Sequence, residues 1–258
     1  LIPEPMQTRK VDQLEVCIYA DRKAMGEAAG REVAQKIKEL LSKQDRVRMI
    51  FASAPSQNEF LDHLGREPDI DWSRITAFHM DEYLGLPEEA PQRFSRYLEE
   101  HLFSAVRPGR VHFMAPTRSV AKECERYAAL IRQAPIDLVC LGIGENGHLG
   151  FNDPPVADFH DPDIIKPVEL DERCRQQQVN DGCFPEIDAV PSHALTLTIP
   201  ALMSGRFVYG GVPGPSKREA VRSALFGPIT TACPASALRR HPHAVLYVDS
   251  DAYGVVKR

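Results

Sequence analysis

The 258-residue chain predicts an α/β fold built on one mostly parallel sheet. Two observations carry that expectation. Apolar runs of strand length alternate with helix-period segments along the chain, which implies right-handed βαβ units. One run, Leu138-Val139-Cys140-Leu141, is apolar throughout and ends in the glycine-rich turn Gly142-Ile143-Gly144-Glu145-Asn146-Gly147-His148-Leu149-Gly150. Such a run marks a strand covered on both faces. Open parallel sheets bind ligands beyond the carboxyl ends of their strands. A histidine in that turn therefore has a functional address.

The elements follow in order. Residues 14–20 read as a first strand and 21–43 as a helix. Ala24, Ala28, Val33, Ile37, Leu40 and Leu41 recur there near a period of 3.6, and Asp21 stands where a cap belongs. A second strand over 47–52 closes on Ser53-Ala54-Pro55-Ser56, with Ser56 placed to cap a helix carrying Phe60, Leu61 and Leu64. A third strand over 75–80 ends in Asp81-Glu82-Tyr83. Pro91 opens a helix with Phe94, Tyr97, Leu98 and Leu102, proline being favoured at a first helical turn. A helix over 120–133 leads into the strand at 136–141.

Residues 154–191 are rich in prolines, acids and glutamines and have little periodicity, so they read as a long ordered loop; loops of that length are usually functional. Strands resume at 194–199 and 207–212, a helix at 216–226 and a last strand at 243–249. With no internal repeat and no low-complexity tract, a single domain over 1–258 is expected.

A net charge of −5 argues against a duplex nucleic-acid binder. It leaves room for a small anionic ligand held by a local cationic group. The six cysteines are scattered with no CxxC pair, and Cys140 lies inside an apolar strand. That pattern points to a reducing compartment rather than a disulfide framework. No apolar segment approaches a membrane span, and residues 1–10 have no signal-peptide core. The expectation is a soluble cytoplasmic protein with neither nucleic acid nor membrane as partner.

Three places carry candidate chemistry. Asp81 ends a strand where substrates sit, and a partly desolvated carboxylate there is suited to abstract a proton from carbon. An acidic pair after a strand also serves as a solvated turn or helix cap, so both readings stand. His148 lies among glycines that allow a ligand to approach the backbone, with Asn146 and Asp153 placed to fix the tautomer of its ring. A lone histidine is also often a structural partner. Anion holding has two candidates: Ser53-Ala54-Pro55-Ser56 ahead of a helix, and Gly210-Gly211-Val212-Pro213-Gly214-Pro215-Ser216-Lys217, which adds a cation. Neither is a nucleotide-binding fingerprint. His241 and His243 read as surface or packing residues, and no metal site is expected.

Phe78-His79-Met80-Asp81-Glu82-Tyr83-Leu84-Gly85-Leu86-Pro87 and the stretch from Leu141 through His148 to Phe151-Asn152-Asp153-Pro154 together resemble the glucosamine-6-phosphate deaminase (isomerase) family. The resemblance runs from the strand before Ser53 to the one near Val248. It implies a Rossmann-like three-layer sandwich and an aldose–ketose isomerisation with loss of ammonia, without metal or cofactor. It implies roles as well: Asp81 as the base between carbons 2 and 1, His148 as the ring-opening group, Asp153 and Asn146 as its partners. Ser53 and Lys217 match regions that hold the phosphate; Ala54, Ser56, Glu82 and Gly147 complete the expected binding residues. The implied partner is a small sugar phosphate, and a homo-oligomer is left open. A 6-phosphogluconolactonase-like hydrolase and a non-catalytic sugar-phosphate-binding protein are the alternatives.

The chain also departs from the family. Asp153 stands where deaminases typically have Glu, and Asn146 where many have Asp. The phosphate loop reads Ser-Ala-Pro-Ser instead of Thr-Gly-x-Thr. Arg173 and Arg175 lie in the region of the family's phosphate-binding arginine, but Gln176-Gln177-Gln178-Val179-Asn180 does not follow its pattern.

Overall fold

The computed structural model describes residues 2–115 and 119–254. Eight strands form the main sheet and three form a smaller one. In chain order the strands are β1 (Gln7–Val11), β2 (Leu14–Tyr19), β3 (Val47–Phe51), β4 (Ile75–His79), β5 (Asp81–Tyr83), β6 (Arg110–His112), β7 (Leu138–Leu141), β8 (Ile165–Glu169), β9 (His193–Leu197), β10 (Phe207–Val212) and β11 (Ala244–Asp249). The helices are α1 (Arg22–Leu41), α2 (Asn58–Arg66), α3 (Phe94–Leu98), α4 (Ser104–Val106), α5 (Val120–Arg132), α6 (Glu172–Asn180), α7 (Ile199–Met203), α8 (Arg218–Phe226) and α9 (Ser250–Tyr253).

The main sheet runs β1-β2-β11-β10-β7-β3-β4-β6, parallel except for the edge strand β1. Its strands alternate between two cores. Val16, Ile18, Ile50, Val139, Leu141, Leu246 and Val248 face one core, which α5, α7 and α8 cover. Cys17, Tyr19, Met49, Phe51, Leu138, Cys140 and Tyr247 face the other, covered by α1 and α2. Period-two alternation with apolar residues on both faces is what a three-layer sandwich requires. Asp21 caps α1, accepting from the Ala24 N–H at 2.9 Å, as its position implies.

From β3 the chain moves outward to β4 and β6, then returns to β7 and moves the other way to β10 and β11. The reversal falls between β3 and β7. Open α/β sheets place a ligand crevice at that point, outside the carboxyl ends.

Several expectations need correction. Asp81-Glu82-Tyr83 is a strand in its own right: the chain leaves the main sheet at Met80 and pairs with β9, which also pairs with β8. The strand at 194–199 thus belongs to the small antiparallel sheet. Residues 154–191 are not one loop but hold β8 and α6. The helix after Pro91 begins at Phe94, with Pro91 in the preceding turn. Ser56 does not cap α2; it sits within a 3-10 turn, Pro55–Gln57, and Asn58 starts the helix without a side-chain cap.

Candidate active site

At the sheet reversal the carboxyl ends of β3, β4, β7 and β10 surround a cleft. Ser53, Ala54 and Ser56 enter it after β3, Met80 and Asp81 after β4, the turn from Gly142 to His148 after β7, and Lys217 after β10. Phe94, Gly150, Phe151, Gln177 and Gln178 complete the wall.

Asp81 is 6% exposed, and its Oδ1 has no hydrogen-bond partner among the described residues. Burial, and then the neighbouring Glu82 carboxylate, push its pKa well above the ordinary carboxylate value. A buried carboxylate with an unengaged oxygen facing a cleft is a proton acceptor waiting for a donor.

His148 is set by the turn beneath it. Gly147 adopts φ +83°, a left-handed conformation that costs glycine nothing, and a Cβ there would lie 2.8 Å from Cys233 Sγ. Gly144 lies directly against the imidazole: a Cβ would come within 2.0 Å of His148 Cε1. His148 Nδ1 faces two acceptors, Asn146 Oδ1 at 2.7 Å and Asp153 Oδ1 at 3.1 Å. Nδ1 therefore carries the proton, and Nε2 is left for the cleft.

Asp153 is fully buried. Burial would raise its pKa, but the bond and charge of His148, the Asn146 amide and the Asp171 N–H together hold it below the usual value. Asn146 Nδ2 donates to Asp153 Oδ1 at 3.0 Å and Asp171 Oδ2 at 3.3 Å, which fixes its own oxygen toward His148. His148, Asp153 and Cys174 also form a cluster of possible metal donors within 4.8 Å of one another. His148 Nδ1 and Asp153 Oδ1 already face each other in this network.

The cleft also holds a buried lysine and a buried hydroxyl. Lys217 is 4% exposed, and among the described residues its ammonium makes no hydrogen bond or ion pair; burial lowers its pKa. Ser53 Oγ is buried without a partner. Both are donors in search of an acceptor.

Two residues expected to bind substrate have other work. Glu82 does not face the cleft. Fully buried, it accepts from the N–H groups of Tyr83, Phe94 and Ser95 at 3.0–3.1 Å and faces Arg93 at 3.6 Å. Its charge is consumed at the N-terminus of α3. Gly147 shapes the turn and does not line the cleft. Arg173 pairs with Glu219 on the surface, and Arg175 bonds the Ile187 and Val190 carbonyls, so neither reaches the cleft. Sequence reasoning missed Gln177, Gln178, Phe94 and Phe151 as wall residues. The signal for the glutamines lay in their spacing with Cys174, an inward helical face written in polar letters.

Fold and site define a class: an α/β protein with a buried carboxylate, an oriented imidazole and a buried lysine gathered at a sheet reversal. Residues 20–151 match the family model described as glucosamine-6-phosphate isomerases/6-phosphogluconolactonase. The glucosamine-6-phosphate deaminase of Bacillus cytotoxicus is 36% identical over 189 residues, 72% of this chain and 70% of its own length. That of Bacillus thuringiensis is equally similar over the same coverage. A solved monomeric glucosamine-6-phosphate deaminase superposes with a TM-score of 0.85 at 30% identity, covering 93% of this chain and 99% of that one. The 6-phosphogluconolactonase of Thermotoga maritima shares the fold (TM-score 0.74, 22% identity, covering 91% and 98%). The chain belongs to the glucosamine-6-phosphate isomerase/6-phosphogluconolactonase family.

Proposed function

We propose that the protein deaminates and isomerises an amino-sugar phosphate, glucosamine 6-phosphate or an epimer, with water giving the ketose phosphate and ammonia. The observation that carries this reading is the pairing in one cleft of an unengaged buried carboxylate, Asp81, with an imidazole whose Nε2 is left free. His148 passes a proton between the anomeric hydroxyl and the ring oxygen, opening the sugar. Asp81 takes the proton from carbon 2 and returns it to carbon 1. That shift turns the carbon 2 amine into an imine; water adds to it and ammonia leaves. Lys217, Ser53, Ala54 and Ser56 hold the distal anion, so that binding energy positions the reacting carbons. The deaminase relatives support this choice over lactone hydrolysis.

The cleft gathers its base, imidazole and anion donors from one chain, and the solved deaminase of 30% identity is monomeric. The reading is therefore a monomer, to be checked by light scattering against the mass of one chain. The six cysteines are free, in keeping with a cytoplasmic enzyme, and no helix among the described residues is long and apolar enough to cross a membrane. The test is ammonia release from glucosamine, galactosamine and mannosamine 6-phosphates, with 6-phosphogluconolactone hydrolysis alongside. Folded protein that releases no ammonia from any of the three refutes the reading.

A further inference from the structure

The distal end of the cleft has an unusual charge balance. Among the described residues that line the cleft, Lys217 is the single lysine or arginine. The carboxylates of Asp181 and Glu145 lie close enough to act on it. The remaining donors are neutral, and two are pinned in orientation. Gln178 Oε1 accepts from the Tyr83 hydroxyl at 2.9 Å, and Gln177 Oε1 accepts from the Glu145 N–H at 2.7 Å. With each amide oxygen committed, each amide nitrogen is oriented as a donor, and that of Gln178 is left unengaged among the described residues. Gln177 Nε2 gives a long bond of 3.4 Å to Asp181. Both glutamines are buried in the cleft wall. The buried, unpartnered Ser53 hydroxyl adds a further neutral donor.

We infer that this end is a subsite for a singly charged tetrahedral oxyanion, with Gln177 and Gln178 as the specificity-determining residues. The inference rests on the proposed deaminase reading for the rest of the substrate. One cation balances one negative charge, and neutral donors satisfy the remaining oxygens without adding charge. Among the described lining residues a second negative charge finds no counter-ion. The chemistry fits a hexosamine 6-sulfate, or a hexosamine 6-phosphate in its monoanionic form.

The two sources separate by pH. A sulfate ester keeps one charge throughout, whereas a phosphate monoester gains its second near about pH 6. Taking the ratio of kcat/KM for the two esters cancels the enzyme's own titrations. At about pH 8 the 6-sulfate of glucosamine is expected to be favoured by about tenfold or more, since like-charge juxtaposition is costly. The ratio should move toward the phosphate, by about tenfold, as the pH falls to about 6. Gln178→Arg supplies a second cation and should reverse the preference at about pH 8. A wild type that prefers the phosphate at that pH, with no change in ratio on acidification, overturns the inference.

Calorimetry with glucitol 6-sulfate and glucitol 6-phosphate, which cannot isomerise, tests the subsite apart from catalysis and without a variant. The same ranking is expected. Tighter binding of the phosphate at about pH 8, or no binding of either, overturns the inference. Correct ranking of the glucitol esters without ammonia release from any hexosamine ester would sink the deaminase reading and leave the subsite standing.

Discussion

The chemistry of Asp81 follows from where the chain puts it. Residues Ile75–His79 continue a buried parallel strand, and the chain then steps into a second sheet, leaving the Asp81 carboxylate inside protein rather than in water. Only the ionised form accepts a proton from carbon. Because burial and Glu82 raise its pKa, the rise of kcat/KM with pH should lie above the range of an exposed carboxylate. The same shift sets a stability window. The folded pKa exceeds the unfolded one, so the contribution of protonated Asp81 is complete below the unfolded value. It is lost as pH rises through the folded value. Asp81→Asn cannot ionise. The variant should gain stability relative to wild type as pH rises above the ordinary carboxylate range, read from urea midpoints, while turnover falls by about 10²–10⁴-fold. Wild-type turnover in that variant would remove Asp81 from the mechanism.

At the scale of elements, the turn after β7 and the start of α3 each make a prediction. Gly144→Ala drives a methyl group into the His148 ring, so the imidazole must move. A misplacement of this kind costs about 100-fold in kcat; the check is kcat against the thermal midpoint, and full turnover would show that the ring's position is not critical. Glu82 joins β5 to α3 by accepting three backbone N–H groups beside the buried Arg93 guanidinium. Glu82→Ala leaves that charge without its partner and should cost about 3–5 kcal/mol in denaturant unfolding. A loss below about 1 kcal/mol would mean that water replaces the carboxylate there.

These elements also show what the sequence makes legible. Strands β2, β3, β4, β7, β10 and β11 are apolar on both faces, and that pattern is visible without a structure. Strand β1, Gln-Thr-Arg-Lys-Val, is an exposed antiparallel edge with no apolar period to read. Helix α6 hides for a different reason: its buried face is Cys174, Gln177 and Gln178, with helical spacing but polar side chains, because it faces the cleft. That Asp81, His148 and Lys217 follow strands β4, β7 and β10 into one cleft can be read from the order of apolar runs. The structural duty of Glu82 cannot, since it depends on α3, twelve residues away in sequence.

For the whole molecule, the question is whether the small sheet is a separate body. It has its own cluster of Tyr83, Phe94, Phe151, Val168 and Phe184. Three physical ties argue that it cannot open alone. Strand β5 continues from β4 across Met80, whose carbonyl accepts from Leu197 N–H of β9 at 2.7 Å. Phe151 N–H and the Asn152 amide bond Thr196 and Leu197 of β9, which joins the His148 turn to the small sheet. Ile165, Leu195 and Leu197 pack into the main core under α5 and α7. Losing the small sheet would therefore expose main-core surface and release the turn that holds His148. One cooperative transition is expected over the described residues. Trp72, the single tryptophan, lies just before β4 and reports the main sheet; near-ultraviolet dichroism of the Tyr83–Phe151 cluster reports the small one. Their urea transitions should coincide with each other and with loss of far-ultraviolet signal. An earlier aromatic transition, with Trp72 still native, would make the small sheet a separate unit and the cleft an interface between two.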